Sequence, residues 1–171
     1  VWRRRTPPAH GEMNDQDSLN QERQKHEQGI KSVKGTENGH IAPVAGDIGI
    51  PLENCNPSRK VSVMDFHGTF DAVVPYAGGT IYNFPSVEES VGRWRTLDAC
   101  SDATDVTYDK GDSQCVTWKG CADTTEVTLC TVTGGGHTWP GGTAVPALGW
   151  TTLDLDATNA MLDFFEKHPM K

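Results

Sequence analysis

The stretch Glu126-Val127-Thr128-Leu129-Cys130-Thr131-Val132-Thr133, running into Gly134-Gly135-Gly136-His137-Thr138-Trp139-Pro140-Gly141-Gly142, decides how this chain is read. Its first part alternates apolar and polar residues, the period-two pattern of a half-buried strand. Its second part sets one histidine between two glycine turns. His137 is therefore expected just past a strand end, where enzymes commonly keep catalytic groups. The glycines open backbone angles closed to other residues and leave room for a substrate beside the ring. An imidazole held in this way suits proton transfer near neutral pH. The plain alternative is a tight surface turn in which His137 does no chemistry.

Upstream, Lys60-Val61-Ser62-Val63-Met64-Asp65-Phe66-His67-Gly68-Thr69-Phe70-Asp71-Ala72-Val73-Val74-Pro75-Tyr76 reads as a β-branched strand that breaks at Gly68 into a loop carrying Asp71. This again places a polar group past a strand end. A general base needs a carboxylate that orients its imidazole and stabilises it when charged, and the two can be far apart in sequence. Asp71 before His137 follows the acid-then-histidine order of the α/β-hydrolases. Asp65 is a rival acid, but inside the strand it would follow the pleat rather than face the mouth of a site. The plain alternative for Asp71 is an Asx-turn acceptor that caps its own loop.

Taken together, His67-Gly68-Thr69-x-Asp71-x-Val73-Val74-Pro75-Tyr76, the Gly134–Gly142 loop, and Asp154-Leu155-Asp156-Ala157-Thr158 leading to Phe164-Phe165-Glu166-Lys167-His168-Pro169 resemble the secreted polyhydroxybutyrate depolymerase and feruloyl esterase group of serine esterases. Ala42-Pro43-Val44-Ala45-Gly46 resembles the strand and turn that follow the nucleophile helix there. The resemblance runs over about residues 41–171 and implies the C-terminal portion of an α/β-hydrolase-like sheet. It implies Asp71 as triad acid, His137 as general base, and Trp139 and Tyr76 near the mouth of the site. It also implies hydrolysis of a polymeric or aromatic ester, such as polyhydroxybutyrate, a feruloyl ester or an acetyl ester, without a cofactor.

The nucleophile is where the chain departs from that pattern. In these enzymes the serine sits in a G-x-S-x-G elbow, a strained strand-to-helix turn that exposes its hydroxyl. None of Ser18, Ser32, Ser58, Ser62, Ser86, Ser90, Ser101 and Ser113 has both glycines. Distance ahead of Ala42 points to Ser18, yet Gln16-Asp17-Ser18-Leu19-Asn20 contains no glycine. A strand and its helix take about 30 residues, so eight strands ask for roughly 240 residues, against 171 here. The alternative function is accordingly a non-catalytic or incomplete remnant that keeps the acid and base, and with them polymer binding.

Composition divides the chain. Residues 1–40 are rich in Gln, Glu, Asn, Lys and Arg and poor in large apolar groups, the signature of a disordered or loosely held polar segment. The start, Val1 to Pro8, is basic and lacks the apolar run of a signal peptide. Residues 1–40 hold 7 Lys or Arg against 6 Asp or Glu, leaving 8 against 17 in the rest. So acidic a body argues against a nucleic-acid backbone as partner. No stretch approaches the roughly 20 apolar residues of a membrane-spanning helix.

Four of the five cysteines, Cys100, Cys115, Cys121 and Cys130, crowd one short region and imply disulfides and an extracellular location. Three pairings are open. Cys115 with Cys121 across a short loop, and Cys100 with Cys130, is the pairing favoured, with Cys55 left over. No C-x-x-C pair and no histidines at ligand spacing point to a metal.

The remaining pattern is α/β. Ser86-Val87-Glu88-Glu89 is a capping box that opens a helix with Val87, Val91, Trp94 and Leu97 on one face. Thr104–Tyr108 and Gln114–Trp118 read as a hairpin around Lys110-Gly111-Asp112. A last helix over about Asp154–His168 turns Ala157, Ala160, Met161, Phe164 and Phe165 toward the sheet and stops before Pro169. The loop from Gly141 to Trp150 is expected as a surface excursion beside His137.

Overall fold

Both glycine-bounded segments form neighbouring parallel strands. The computed structural model describes residues 39–79 and 83–169, so Ser18 and most of the polar N-terminal segment lie outside the described residues. Among the described residues five strands form one mixed sheet: β1 (Gly39–Ile41), β2 (Val61–Gly68), β3 (Thr104–Lys110), β4 (Ser113–Trp118) and β5 (Val127–Val132), in the order β1-β2-β5-β4-β3. β1, β2 and β5 run parallel, whereas β5-β4 and β4-β3 are antiparallel. Val44 continues the edge beside Phe66 as a single parallel bridge.

A helix packs on each face. α1 (Val87–Leu97) presents Val87 and Val91 to Val127 and Leu129, with Tyr76, Trp94 and Trp118 around them. Its capping box is formed: the Glu89 N–H donates to Ser86 Oγ (3.1 Å), and the Ser86 N–H donates to Glu89 Oε2 (2.8 Å). α2 (Ala157–Lys167) presents Ala157, Ala160 and Met161 to Phe66 and to Cys115 and Cys130 on the other face. Phe66 is fully buried, worth about 1.5–3 kcal/mol in transfer alone.

α2 starts at Ala157 rather than near Asp154, with Asp156 as N-cap accepting from the Asn159 N–H at 3.0 Å. The residues before it follow an irregular, bent course instead. Gly136 N–H donates to the Trp150 carbonyl and Gly141 N–H to the Thr152 carbonyl, both at 2.9 Å, and the Tyr108 hydroxyl donates to the Asp154 carbonyl. These bonds from the His137 loop and the hairpin outcompete a further helical turn. The hairpin itself forms as the sequence implies, with Gly111 at φ +55° in its turn.

The favoured disulfide pairing is corrected. The bridges join Cys100 to Cys121 and Cys115 to Cys130. Cys115 and Cys130 are direct partners in the β4-β5 register, so their side chains leave the sheet on the same face. Cys121 lies past the end of the strand that carries Cys115, and an extended segment advances about 3.3 Å per residue, too far for the two to meet. Cys121 falls instead beside Cys100, where the Ser101 N–H donates to the Lys119 carbonyl at 2.9 Å. Cys55 is a free, buried thiol.

Candidate functional site

Parallel neighbours end at the same edge of a sheet. Gly68 at the end of β2 is in register with Val132 at the end of β5, so the loops carrying Asp71 and His137 emerge side by side. They are stitched together at once. Thr69 N–H donates to the Val132 carbonyl (3.0 Å), Phe70 N–H to the Gly135 carbonyl (2.8 Å), and Gly134 N–H to Thr69 Oγ1 (2.8 Å).

From this frame Asp71 and His137 meet. Asp71 Oδ2 lies 2.9 Å from His137 Nδ1, across 66 positions of sequence. The other carboxylate oxygen, Oδ1, accepts the N–H groups of Val73 and Val74 at 2.8 Å each. Asp71 is thus both the turn acceptor and the partner of the imidazole, one role for each oxygen. Its side chain is fully buried, while that of His137 keeps 29% exposure. Since an ionised carboxylate only accepts, Nδ1 carries the ring proton, and Nε2 is left with its lone pair. Nε2 makes no hydrogen bond to a described residue. The His137 backbone is fixed by its N–H to the Leu148 carbonyl at 2.8 Å, which ties the Gly141–Trp150 loop against the histidine turn.

The other residues singled out from the sequence fall into three positions. Trp139 is half-exposed two residues beyond His137, with its indole N–H on Thr158 Oγ1 at 3.0 Å. Tyr76 is half-buried against the α1 core, with its hydroxyl 3.0 Å from Thr131 Oγ1 and its ring edge-on to His67, which stands beside Asp71. Asp65 is not beside His137. It is buried on the α1 side of β2, and burial first, with Asp47 nearby second, pushes its carboxyl up to about 7.

Of the serines among the described residues, none is hydrogen-bonded to His137. Ser86 caps α1, Ser90 is on Asp47, Ser101 on the Lys119 carbonyl, Ser113 on Asp112 and Ser62 on the Glu126 N–H. Two further groups, one beside Asp71 and one behind the Trp150–Thr152 segment, have no role assigned from sequence. His67 stands 3.6 Å from Asp71 Oδ2; its only signal in the chain is the His67-Gly68-x-x-Asp71 spacing. Asp112, in the hairpin turn, takes Ser113 Oγ and Trp150 Nε1 at 2.7 and 2.8 Å, and Thr152 Oγ1. Partial burial opposes the ionised form of Asp112, but the bonds from Thr152, Trp150 and Ser113 prevail and hold it below the ordinary carboxylate range.

The arrangement can orient an imidazole, stabilise it when it takes up a proton, and offer Nε2 to a group outside. No protein-family model matches the chain. It is similar to Feruloyl esterase B of Piromyces equi, 27% identical over 106 residues. That match covers 56% of this chain and 19% of the esterase, so the chain spans about a fifth of the length of this relative. The similarity indicates an esterase relationship of a distant and partial kind. Two disulfides are compatible with an extracellular location.

Proposed function

We propose that this chain is the acid-and-base part of a carboxylic ester hydrolase of the polyhydroxybutyrate depolymerase and feruloyl esterase group, built on the C-terminal portion of an α/β-hydrolase-like sheet. One observation carries the reading: the 2.9 Å bond from His137 Nδ1 to a fully buried Asp71 that is itself locked by two backbone amides. His137 Nε2 would take the proton of a hydroxyl nucleophile as it attacks the ester carbonyl, and return it to the leaving alcohol. Asp71 would hold the tautomer and stabilise the imidazolium. The acyl-enzyme would then be released by water, activated by the same nitrogen. The half-exposed Trp139, two residues past His137 in the same loop, supports an aromatic or polyester acyl group, which stacks or packs on such a face.

The experiment is hydrolysis of p-nitrophenyl acetate and butyrate by the full chain, by His137→Ala and by Asp71→Asn. Loss of turnover in both variants is the expected result. Equal rates in all three proteins rule the reading out. A second reading, a remnant that keeps the pair without turnover, is favoured by the lack of a serine on His137 among the described residues. It predicts a parent protein that binds the polymer and releases no product.

A further inference from the structure

Asp71 has a second imidazole beside it. His67, near the end of β2, is 1% exposed, and general acid-base chemistry at His137 gives it no part. Its Nε2 lies 2.8 Å from the Val74 carbonyl oxygen. A carbonyl only accepts, so the ring proton sits on Nε2. Nδ1 is buried with no hydrogen-bond partner among the described residues. His67 Nε2 also stands 3.6 Å from Asp71 Oδ2, the oxygen that His137 uses, a distance too long for a hydrogen bond.

Val74 is therefore gripped from both sides. Its N–H is taken by Asp71 Oδ1 and its carbonyl by His67 Nε2, both at 2.8 Å. His67 is hemmed in as well. The Tyr76 ring meets it edge-on at 5.9 Å and 86°, and the Tyr76 hydroxyl is tied to Thr131, the residue opposite His67 on β5. Both the His67 and Asp71 side chains are fully buried, so a lost bond here is not replaced by bulk water.

We propose that His67 is a positioning residue for the Asp71–His137 pair. By holding the Val74 carbonyl it closes the turn, commits Oδ1 of Asp71 to the turn amides, and reserves Oδ2 for His137. The kinetic consequence rests on the esterase reading. The Asp71–His137 bond itself is observable without turnover.

Two substitutions separate positioning from mere packing. His67→Gln carries an amide nitrogen about where Nε2 lies, whereas His67→Asn carries it only to the depth of Nδ1 and cannot reach Val74. Both bury an amide, so they differ in reach rather than polarity. The readout is the low-field proton signal of His137 Nδ1–H in the full chain, identified by its disappearance in His137→Ala. The signal is expected to persist in His67→Gln and to be lost in His67→Asn. In the asparagine variant kcat for p-nitrophenyl butyrate is expected to fall about 10- to 100-fold at unchanged KM, while the glutamine variant stays close to the parent. An unchanged signal and kcat in His67→Asn, or equal losses in both variants, overturn the proposal. A measurement on the parent needs no variant: ring nitrogen shifts showing His67 as the Nδ1–H tautomer overturn it as well. A parent without turnover would overturn the esterase reading, and the signal would still decide the role of His67.

Discussion

Gly68 and Gly135 touch backbone to backbone: a methyl group built on Gly68 would collide with the Gly135 carbonyl and stand 2.7 Å from the Gly136 carbonyl oxygen. The contact joins the loop that carries Asp71 to the loop that carries His137. Gly134, one residue before Gly135, has open space around it and needs only its left-handed φ of +77°.

The two positions therefore respond differently to alanine. Gly134→Ala is expected to cost about 1–2 kcal/mol, the strain of a left-handed residue with a side chain. Gly68→Ala should cost more and also part the loops, because backbone atoms cannot move aside as a side chain can. Urea denaturation of both variants measures this, and a larger loss in Gly134→Ala contradicts the contact.

The disulfides give a second prediction. Proteolysis of the unreduced protein followed by mass spectrometry should find Cys100 joined to Cys121 and Cys115 joined to Cys130. Replacing Cys115 and Cys130 by serine is expected to cost about 2–4 kcal/mol. It should also loosen β5, the strand that leads to His137. Peptides joining Cys115 to Cys121 would contradict the β4-β5 register.

Asp65 gives stability a pH dependence of known sign. Burial, then the neighbouring Asp47, raises its carboxyl from 3.8 to about 7 in the folded chain. The native state thus keeps a proton that the unfolded chain has released, so this group costs nothing below about pH 4. Stability then falls as the pH climbs toward 7 and is level above it. Asp65→Asn removes that dependence. It should match the parent near pH 4 and exceed it at pH 8 by a few kcal/mol, read from denaturation midpoints at both values. A variant less stable than the parent at pH 8 contradicts the assignment.

Much of this architecture is legible in the residues themselves. Period-two alternation places β2 and β5, the Ser86–Glu89 box places the start of α1, and Lys110-Gly111-Asp112 places the hairpin turn, because each is a local signal. Asp71 and His137 were legible as strand-end groups, and the parallel β2-β5 pairing is what brings them together. The disulfide pairing was not legible, since it depends on the register that sets Cys115 opposite Cys130. Nor was the grip of His67 on Val74, which exists only once the turn has closed. α2 starts later than the local pattern predicts because bonds from the hairpin and the histidine loop, distant in sequence, keep residues 150–154 out of the helix.

The central claim, that Asp71 and His137 act as one unit, is tested most directly by a double-mutant cycle on p-nitrophenyl butyrate hydrolysis. Asp71→Asn keeps the turn acceptor Oδ1 and is expected to slow turnover by about 10²- to 10⁴-fold. Combined with His137→Ala it should be no slower than His137→Ala alone. Losses that multiply in the double variant, or rates equal to the parent in either single one, would contradict the account.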